Sequence, residues 1–264
     1  MNEDILKGLL ALTVESKDHA EIPLQKIIAM QDIYLKNNPT LYTQKQIKQL
    51  DYYLKAVAYK FQLTTISLEQ LWSLSYMKRR ELDYALKNSL DRLDVFDNEL
   101  IMVSFVLEGF LFQSRSLIDF LMLYICFFLK TGHQGSITKS KFYKELDKTL
   151  GDPFSQKASL VNEYFRSKIF GTSDWEGLNP NNWGSLIESL RNKIAHRDII
   201  RPSFNSDESI FDNILFNWPT IQGITYDRFC QYMQNGIFTS FVNLSPILYE
   251  LEWKSGPYMP TLWD

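Results

Sequence analysis

Leu100 to Leu129 reads LIMVSFVLEGFLFQSRSLIDFLMLYICFFL, a proline-free run whose only ionisable carboxylates and guanidinium are Glu108, Arg115 and Asp119. The run is long enough to span a bilayer, but each of these charges costs about 2.5 to 3.5 kcal/mol at mid-membrane. It is therefore expected to be the buried core helix of a helical protein. That helix is expected to run from Asn98 to Lys130 and to end at Thr131-Gly132, where glycine takes a left-handed cap without steric cost. Glu108, Phe112, Arg115 and Asp119 follow one another at offsets of four, three and four residues, which places them on one stripe. Ionisable groups on an otherwise apolar helix need partners. The stripe is expected either to line a site or to close on itself as a salt-bridge ladder.

Outward from this helix, the sequence predicts an all-α helical bundle with loop insertions. Residues 1–64 form a helical N-terminal extension in this reading, with an amphipathic stretch around Ile5, Leu6, Leu9, Leu10 and Leu12. A second, Ile22 to Leu35, is stopped by Asn37-Asn38-Pro39, and a third covers Thr43 to Phe61. Ser67-Leu68-Glu69-Gln70 has the form of a capping box and is expected to open a new helix running to about Leu93, so the bundle is placed at 65–264. Further helices are expected over Lys139–Leu150, Pro153–Phe170, Trp183–His196 and Tyr226–Trp253, the last containing Pro246. Gly171 to Asn182 reads as a loop, and the stretch near 210–226 as a short β-hairpin or an irregular loop.

Composition narrows the chemistry. With 264 residues and 45% apolar content the chain can bury a core without metal or disulfide staples. A formal charge of −3 provides no global basic field and so argues neither for nor against nucleic acid. The basic triplet Lys78-Arg79-Arg80 reads as a solvated helix face. Cys126 and Cys230 form neither a disulfide framework nor a zinc site, and His19 and His133 stand in polar segments without ligand-spaced companions. There is no glycine loop for phosphates, no His-Glu-x-x-His, no Cys-x-x-Cys and no Gly-x-Ser-x-Gly. The first residues lack a basic segment and a small-residue cleavage site, so a cytoplasmic protein without a membrane role is expected. Trp175, Trp183, Phe216, Trp218 and Tyr226 could stack bases, although aromatics of this kind usually pack the core.

The segment that carries chemistry is Trp183 to Asp198, WGSLIESLRNKIAHRD. Leu186, Ile187, Leu190 and Ile194 share a helical face and are expected in the core. At roughly 100° per residue, Asn192 and His196 lie about 40° apart, and Arg191 and His196 about 140°. Arg191 must reach around the helix, or the helix must loosen near its end. Either way a guanidinium, an amide and an imidazole can border one crevice, a set able to hold a phosphodiester and move a proton near neutral pH.

The string Leu190-Arg191-Asn192-Lys193-Ile194-Ala195-His196-Arg197 resembles the ribonuclease motif of the HEPN superfamily, an arginine, a polar residue and then a histidine after four to six positions. Phe105 to Asp119 is similar to the long core helix that bacterial HEPN proteins of the abortive-infection and toxin type set opposite their motif helix. The resemblance covers about residues 65 to 200 and leaves the N-terminal 60 outside it. It implies a HEPN-like bundle and metal-independent endoribonuclease activity. The 2′-OH would attack the adjacent phosphorus to leave 2′,3′-cyclic phosphate ends, with no cofactor. In that scheme His196 is general base or acid, Arg191 stabilises the transition state, and Asn192 positions the histidine or the phosphate. Glu108, Arg115, Asp119, Lys193 and Arg197 would support or bind substrate. The implied partners are RNA, a second copy in a two-fold homodimer and a cognate antitoxin, for a toxin or phage-defence effector. The alternative is a non-catalytic HEPN-like module for dimerisation or for nucleotide or partner binding.

Overall fold

The computed structural model describes residues 24–88, 92–93, 97–133, 135–149, 154–172, 182–195, 203–204, 209–211, 214–216, 219–221 and 224–251. The chain is all-α in class. Residues 24–37 form α1, followed by α2 (Gln44–Lys87), α3 (Asp97–Phe128), α4 (Lys139–Asp147), α5 (Phe154–Tyr164), α6 (Trp183–Ala195) and α7 (Tyr226–Tyr249). One π-helical turn, Phe165–Ile169, continues α5, with the Phe170 N–H donating to the Phe165 carbonyl at 2.8 Å. Among the described residues six strands of two or three residues also form: β1 (Arg92–Leu93), β2 (Ser203–Phe204), β3 (Ser209–Phe211), β4 (Ile214–Phe216), β5 (Pro219–Ile221) and β6 (Ile224–Thr225). They make two small ladders, β1-β4-β3 and β2-β5-β6. The hairpin expected near 210–226 is present twice, as antiparallel β3–β4 and antiparallel β5–β6, each with a two-residue connection.

α2 and α3 are the scaffold, and two contacts fix their antiparallel sense. Lys60 donates to Gln113 Oε1 at 3.0 Å, and Tyr53 stacks on Phe127 at 4.5 Å. Position falls along α2 as it rises along α3. Leu107, Phe110, Leu111, Leu117, Ile118, Met122, Ile125 and Phe128 are buried on α3, facing Leu50, Leu54, Val57, Phe61, Leu68 and Leu71 of α2 within one hydrophobic cluster. By length and composition Ile101–Phe128 could cross a membrane, but 56% of its most apolar window is buried inside the fold, as a core helix requires.

Two local expectations are corrected. Ser67 does not open a helix, since α2 runs unbroken from Gln44 to Lys87, about 65 Å at 1.5 Å per residue. No glycine or proline separates Phe61 from Ser67, and Thr64, Leu68 and Leu71 continue the buried stripe. Ser67 Oγ instead donates back to the Leu63 carbonyl at 2.9 Å. The boundary placed at 64/65 thus lies inside this helix, and residues on both sides of it share the core. The second correction concerns the end of α3. Lys130, at φ 53°, takes the left-handed cap, with its N–H on Phe127 O at 3.2 Å and the Thr131 N–H on Cys126 O at 3.1 Å, while Gly132 (φ 81°) follows in the turn. A lysine holds this position because its ammonium lies 4.7 Å from the Tyr42 ring centre and also donates to the Leu41 carbonyl.

α1 is joined to the bundle by buried polar contacts as well as by Leu24, Ile27, Met30 and Tyr34. Gln31 accepts from Tyr124 Oη at 2.7 Å and donates to Asp51 Oδ1 at 2.9 Å, while the Tyr124 and Tyr249 hydroxyls meet at 2.6 Å. Lys157 of α5 is 4% exposed; its ammonium donates to Leu248 O at 2.6 Å, pairs with Glu250 at 2.8 Å and lies 4.4 Å from the Tyr34 ring centre. Burial pulls the Lys157 pKa down, and the Glu250 carboxylate opposes that shift.

Candidate functional site

α6 is seated from beneath by Trp183, whose indole Nε1 donates to Ser240 Oγ at 3.1 Å and whose ring lies against the backbone of Gly236 on α7. A Cβ at Gly236 would come within 2.5 Å of Trp183 Cδ1, so glycine is required for this approach. Trp183, Leu186, Ile187 and Leu190 are buried and Ile194 is partly buried, the face the spacing predicts. Trp183 and Tyr226 are thereby core residues. The side chain of Phe216, like Trp175 and Trp218, lies outside the described residues.

This packing turns Glu188 and Arg191 toward α3 and α4. Arg115 Nη1 meets Glu188 Oε1 at 3.2 Å, and Lys139, the first residue of α4, meets Glu188 Oε2 at 2.7 Å. Arg115 Nη2 is in Coulombic contact with Asp119 Oδ1 at 3.2 Å, without the alignment of a hydrogen bond. Lys139 also lies 4.6 Å from the Phe170 ring centre. Burial holds the Asp119 carboxyl above its ordinary range, the Arg115 and Arg191 charges pull it back, and Glu188 pushes it up again. The cluster is an ion-pair network open to water on one side, with side chains 18 to 38% exposed.

Arg191 stands at the edge of this network. Its Cζ lies 5.9 Å from the ring centre of Phe112 on α3, and its Nε is buried with no hydrogen-bond partner. Arg115 and Lys139 are neutralised by carboxylates; Arg191 has no ion pair among the described residues. Asn192 and Lys193 are exposed on the outward side of α6. His196 and Arg197 lie outside the described residues, beyond the last residue of the helix, Ala195. The structure thus brings Arg115, Asp119 and Arg191 together. It leaves Glu108 apart, two turns before Arg115 and about 10 Å away along the axis.

Glu188 is the member that the sequence reading passed over, and it is the hub that accepts from both Arg115 and Lys139. Two signals pointed to it: the three-residue spacing to Arg191, which shares its face, and the unmet need of Arg115 for a carboxylate from another element.

Other titratable groups lie elsewhere. Among the described residues no three His, Cys, Asp or Glu side chains converge as metal ligands. His133 Nε2 is 3.3 Å from the Ser136 carbonyl in the loop after α3, and His19 lies outside the described residues. Burial pushes the Cys126 thiol up to about 12 and Cys230 well above its usual value, so neither thiol is poised as a nucleophile. Of the basic triplet, Arg80 is exposed; the Lys78 and Arg79 side chains lie outside the described residues. An open depression of about 440 Å³ on α5, lined by Ser159, Asn162, Glu163, Arg166 and Ser167, is separate from the Arg191 cluster. Its arginine is already committed, 4.0 Å from the Tyr143 ring centre and bonded to Asn162 at 2.7 Å.

No protein-family model, curated protein or solved structure matches this chain.

Proposed function

We propose that the chain is a metal-independent endoribonuclease of HEPN type, acting on RNA in the cytoplasm as a toxin or phage-defence effector and held in check by a cognate partner. The observation that carries this reading is the uncommitted guanidinium of Arg191, beside Phe112 and five residues before His196. An arginine with spare donors suits a phosphodiester whose charge grows in the transition state. In the proposed reaction the ribose 2′-OH gives up its proton as its oxygen bonds to phosphorus, the bond from phosphorus to the 5′-oxygen breaks, and the leaving 5′-oxygen takes up a proton. His196 accepts the first proton or supplies the second, Asn192 positions His196 or the phosphate, and Lys193 and Arg197 hold flanking phosphates. Asp119, Arg115 and Glu188 act one step back, fixing the field in which Arg191 sits.

The exposed face of α3 supports a two-fold homodimer. Ile101, Phe105 and Phe112 are 66, 76 and 44% exposed along it. Gly109, between the two phenylalanines, has open space where a side chain would stand, although glycine costs a helix interior about 1 kcal/mol. A second copy crossing at Gly109 would cover both rings and bring a second Arg191 to the same side, since Phe112 belongs to both features. The same face would serve a non-catalytic dimerisation module, the second reading.

The test is incubation of RNA in EDTA with wild type, Arg191→Ala and His196→Ala, all shown by circular dichroism to fold alike. Fragments ending in 2′,3′-cyclic phosphate from wild type alone are expected, with a loss of about 10²-fold or more in each variant. A wild-type dimer that leaves every RNA intact selects the non-catalytic module.

A further inference from the structure

Lys45, Lys48, Tyr52, Lys55 and Tyr59 follow one another along α2 at offsets of three, four, three and four residues, so they share a helical face. All five are exposed, Tyr52 at 66% and Tyr59 at 58%, and their face is opposite the buried Leu50, Leu54, Val57 and Phe61. No ion pair engages the three lysines among the described residues. Between residues 44 and 68 the chain carries four lysines and a single acidic residue, Asp51, which accepts from Gln31. A chain of net charge −3 thus concentrates unpaired positive charge on one helix face and sets two large rings within it.

Those rings are braced from behind. Tyr53 meets Tyr52 edge-on at 5.4 Å and is itself stacked on Phe127 at 4.5 Å. Lys60, bonded to Gln113 of α3, holds its ammonium 5.9 Å from the Tyr59 ring centre. The outer ring faces are left to solvent.

We infer that this face of α2 binds single-stranded nucleic acid, with Tyr52 and Tyr59 stacking bases and Lys45, Lys48 and Lys55 contacting phosphates. The two tyrosines are seven residues apart, about 10 Å along the axis, a span that three stacked nucleotides cover at about 3.4 Å each. Stacking on an aromatic face accepts any base, so recognition here is of strandedness and charge rather than sequence. An anionic membrane surface would also meet the lysines, but it would want long apolar side chains between them, where tyrosines and Gln49 stand. The site is distinct from the Arg191 cluster and does not rest on the cleavage reading, because a chain without nuclease activity would keep it.

The test is fluorescence anisotropy of a labelled oligodeoxythymidylate of about twelve nucleotides, which lacks the 2′-hydroxyl that cleavage would use, titrated with the chain over a series of salt concentrations. Three phosphate contacts predict a slope of log K against log salt near −2, at about −0.7 per contact. Tyr52→Ala and Tyr59→Ala should each weaken binding at least about fivefold. Tyr52→Phe should keep wild-type affinity, and Lys48→Ala with Lys55→Ala should flatten the slope by about 1.4. All the α2 substitutions are at exposed positions, and thermal melts check that the fold is kept. Absent binding at low salt, equal binding by wild type and the tyrosine variants, or binding only to vesicles of anionic phospholipid would each overturn the inference.

Discussion

Gly236→Ala places a methyl group where Trp183 now lies, at 2.5, 2.6 and 2.9 Å from Cδ1, Cγ and Cβ of that residue. Favourable carbon contacts sit near 3.5 to 4.0 Å, so the indole or α7 must move by about 1 Å. The indole has little freedom to do so, being almost fully buried and bonded to Ser240 Oγ, which in turn donates to the Gly236 carbonyl at 2.7 Å. Overpacking of this kind costs about 2 to 3 kcal/mol, and alanine returns about 1 kcal/mol in helix propensity. The net expectation is a loss of about 1 to 2 kcal/mol, or about 2 to 4 °C in Tm for a chain of this size. Urea denaturation followed by circular dichroism measures it, and the sign in a second background tests the reasoning. In Trp183→Leu, where the ring is gone, the same Gly236→Ala change should become stabilising by about 1 kcal/mol. An equal loss in both backgrounds would refute the idea that the glycine exists to admit the indole that seats α6.

Phe105→Glu sets a charge at the most exposed large apolar residue of α3 and should turn a wild-type dimer into a monomer in sedimentation velocity, while changing monomer stability by no more than about 0.5 kcal/mol; a monomeric wild type at high micromolar concentration would remove this face from consideration. Asp119 has a folded-state pKa above its unfolded one, so its contribution to stability is fully present below the ordinary value of 3.8 and is lost as pH rises through the raised folded value. Asp119→Asn should therefore compare better with wild type at pH 7 than at pH 4 in urea titrations, and the reverse ordering would contradict the dominance of burial over the Arg115 and Arg191 charges. Tyr124→Phe deletes the hydroxyl shared with Gln31 and Tyr249 and should cost about 1 to 3 kcal/mol in the same assay, a loss within 0.5 kcal/mol of zero arguing that these buried groups find other partners.

The core was legible because it is periodic. Leu186, Ile187 and Leu190 are buried where the 3.6-residue repeat puts them, and the apolar weight of Leu100–Leu129 identified α3 before any partner was known. The faults lay where local rules compete. Ser67-Leu68-Glu69-Gln70 satisfies the capping-box pattern, yet a cap forms only where a helix must start, and the buried stripe through Thr64 and Leu68 gives α2 no reason to stop. Gly132 looked like the cap of α3 because glycine tolerates positive φ, but Lys130 takes the position through a ring, Tyr42, that is 88 residues earlier in the sequence. At the candidate site Arg115 and Asp119 were anticipated from their shared stripe. Glu188 and Lys139 were not, because tertiary packing of α4 and α6 against α3 creates those pairs, and the spacing of Glu188 to Arg191 gives only a shared face, not the partners on α3 and α4.

The unbroken passage of α2 across residue 65 bears on how the molecule can be dissected. A fragment starting there would keep only the later turns of α2, lose Tyr53 from Phe127, leave Tyr124 without Gln31 and strip the Tyr34 ring from the Lys157 ammonium. The first and last described helices thus meet in one core, with the Tyr34 and Tyr249 ring centres 6.3 Å apart. Slow hydrogen exchange in α1 should track that of α3 rather than precede it.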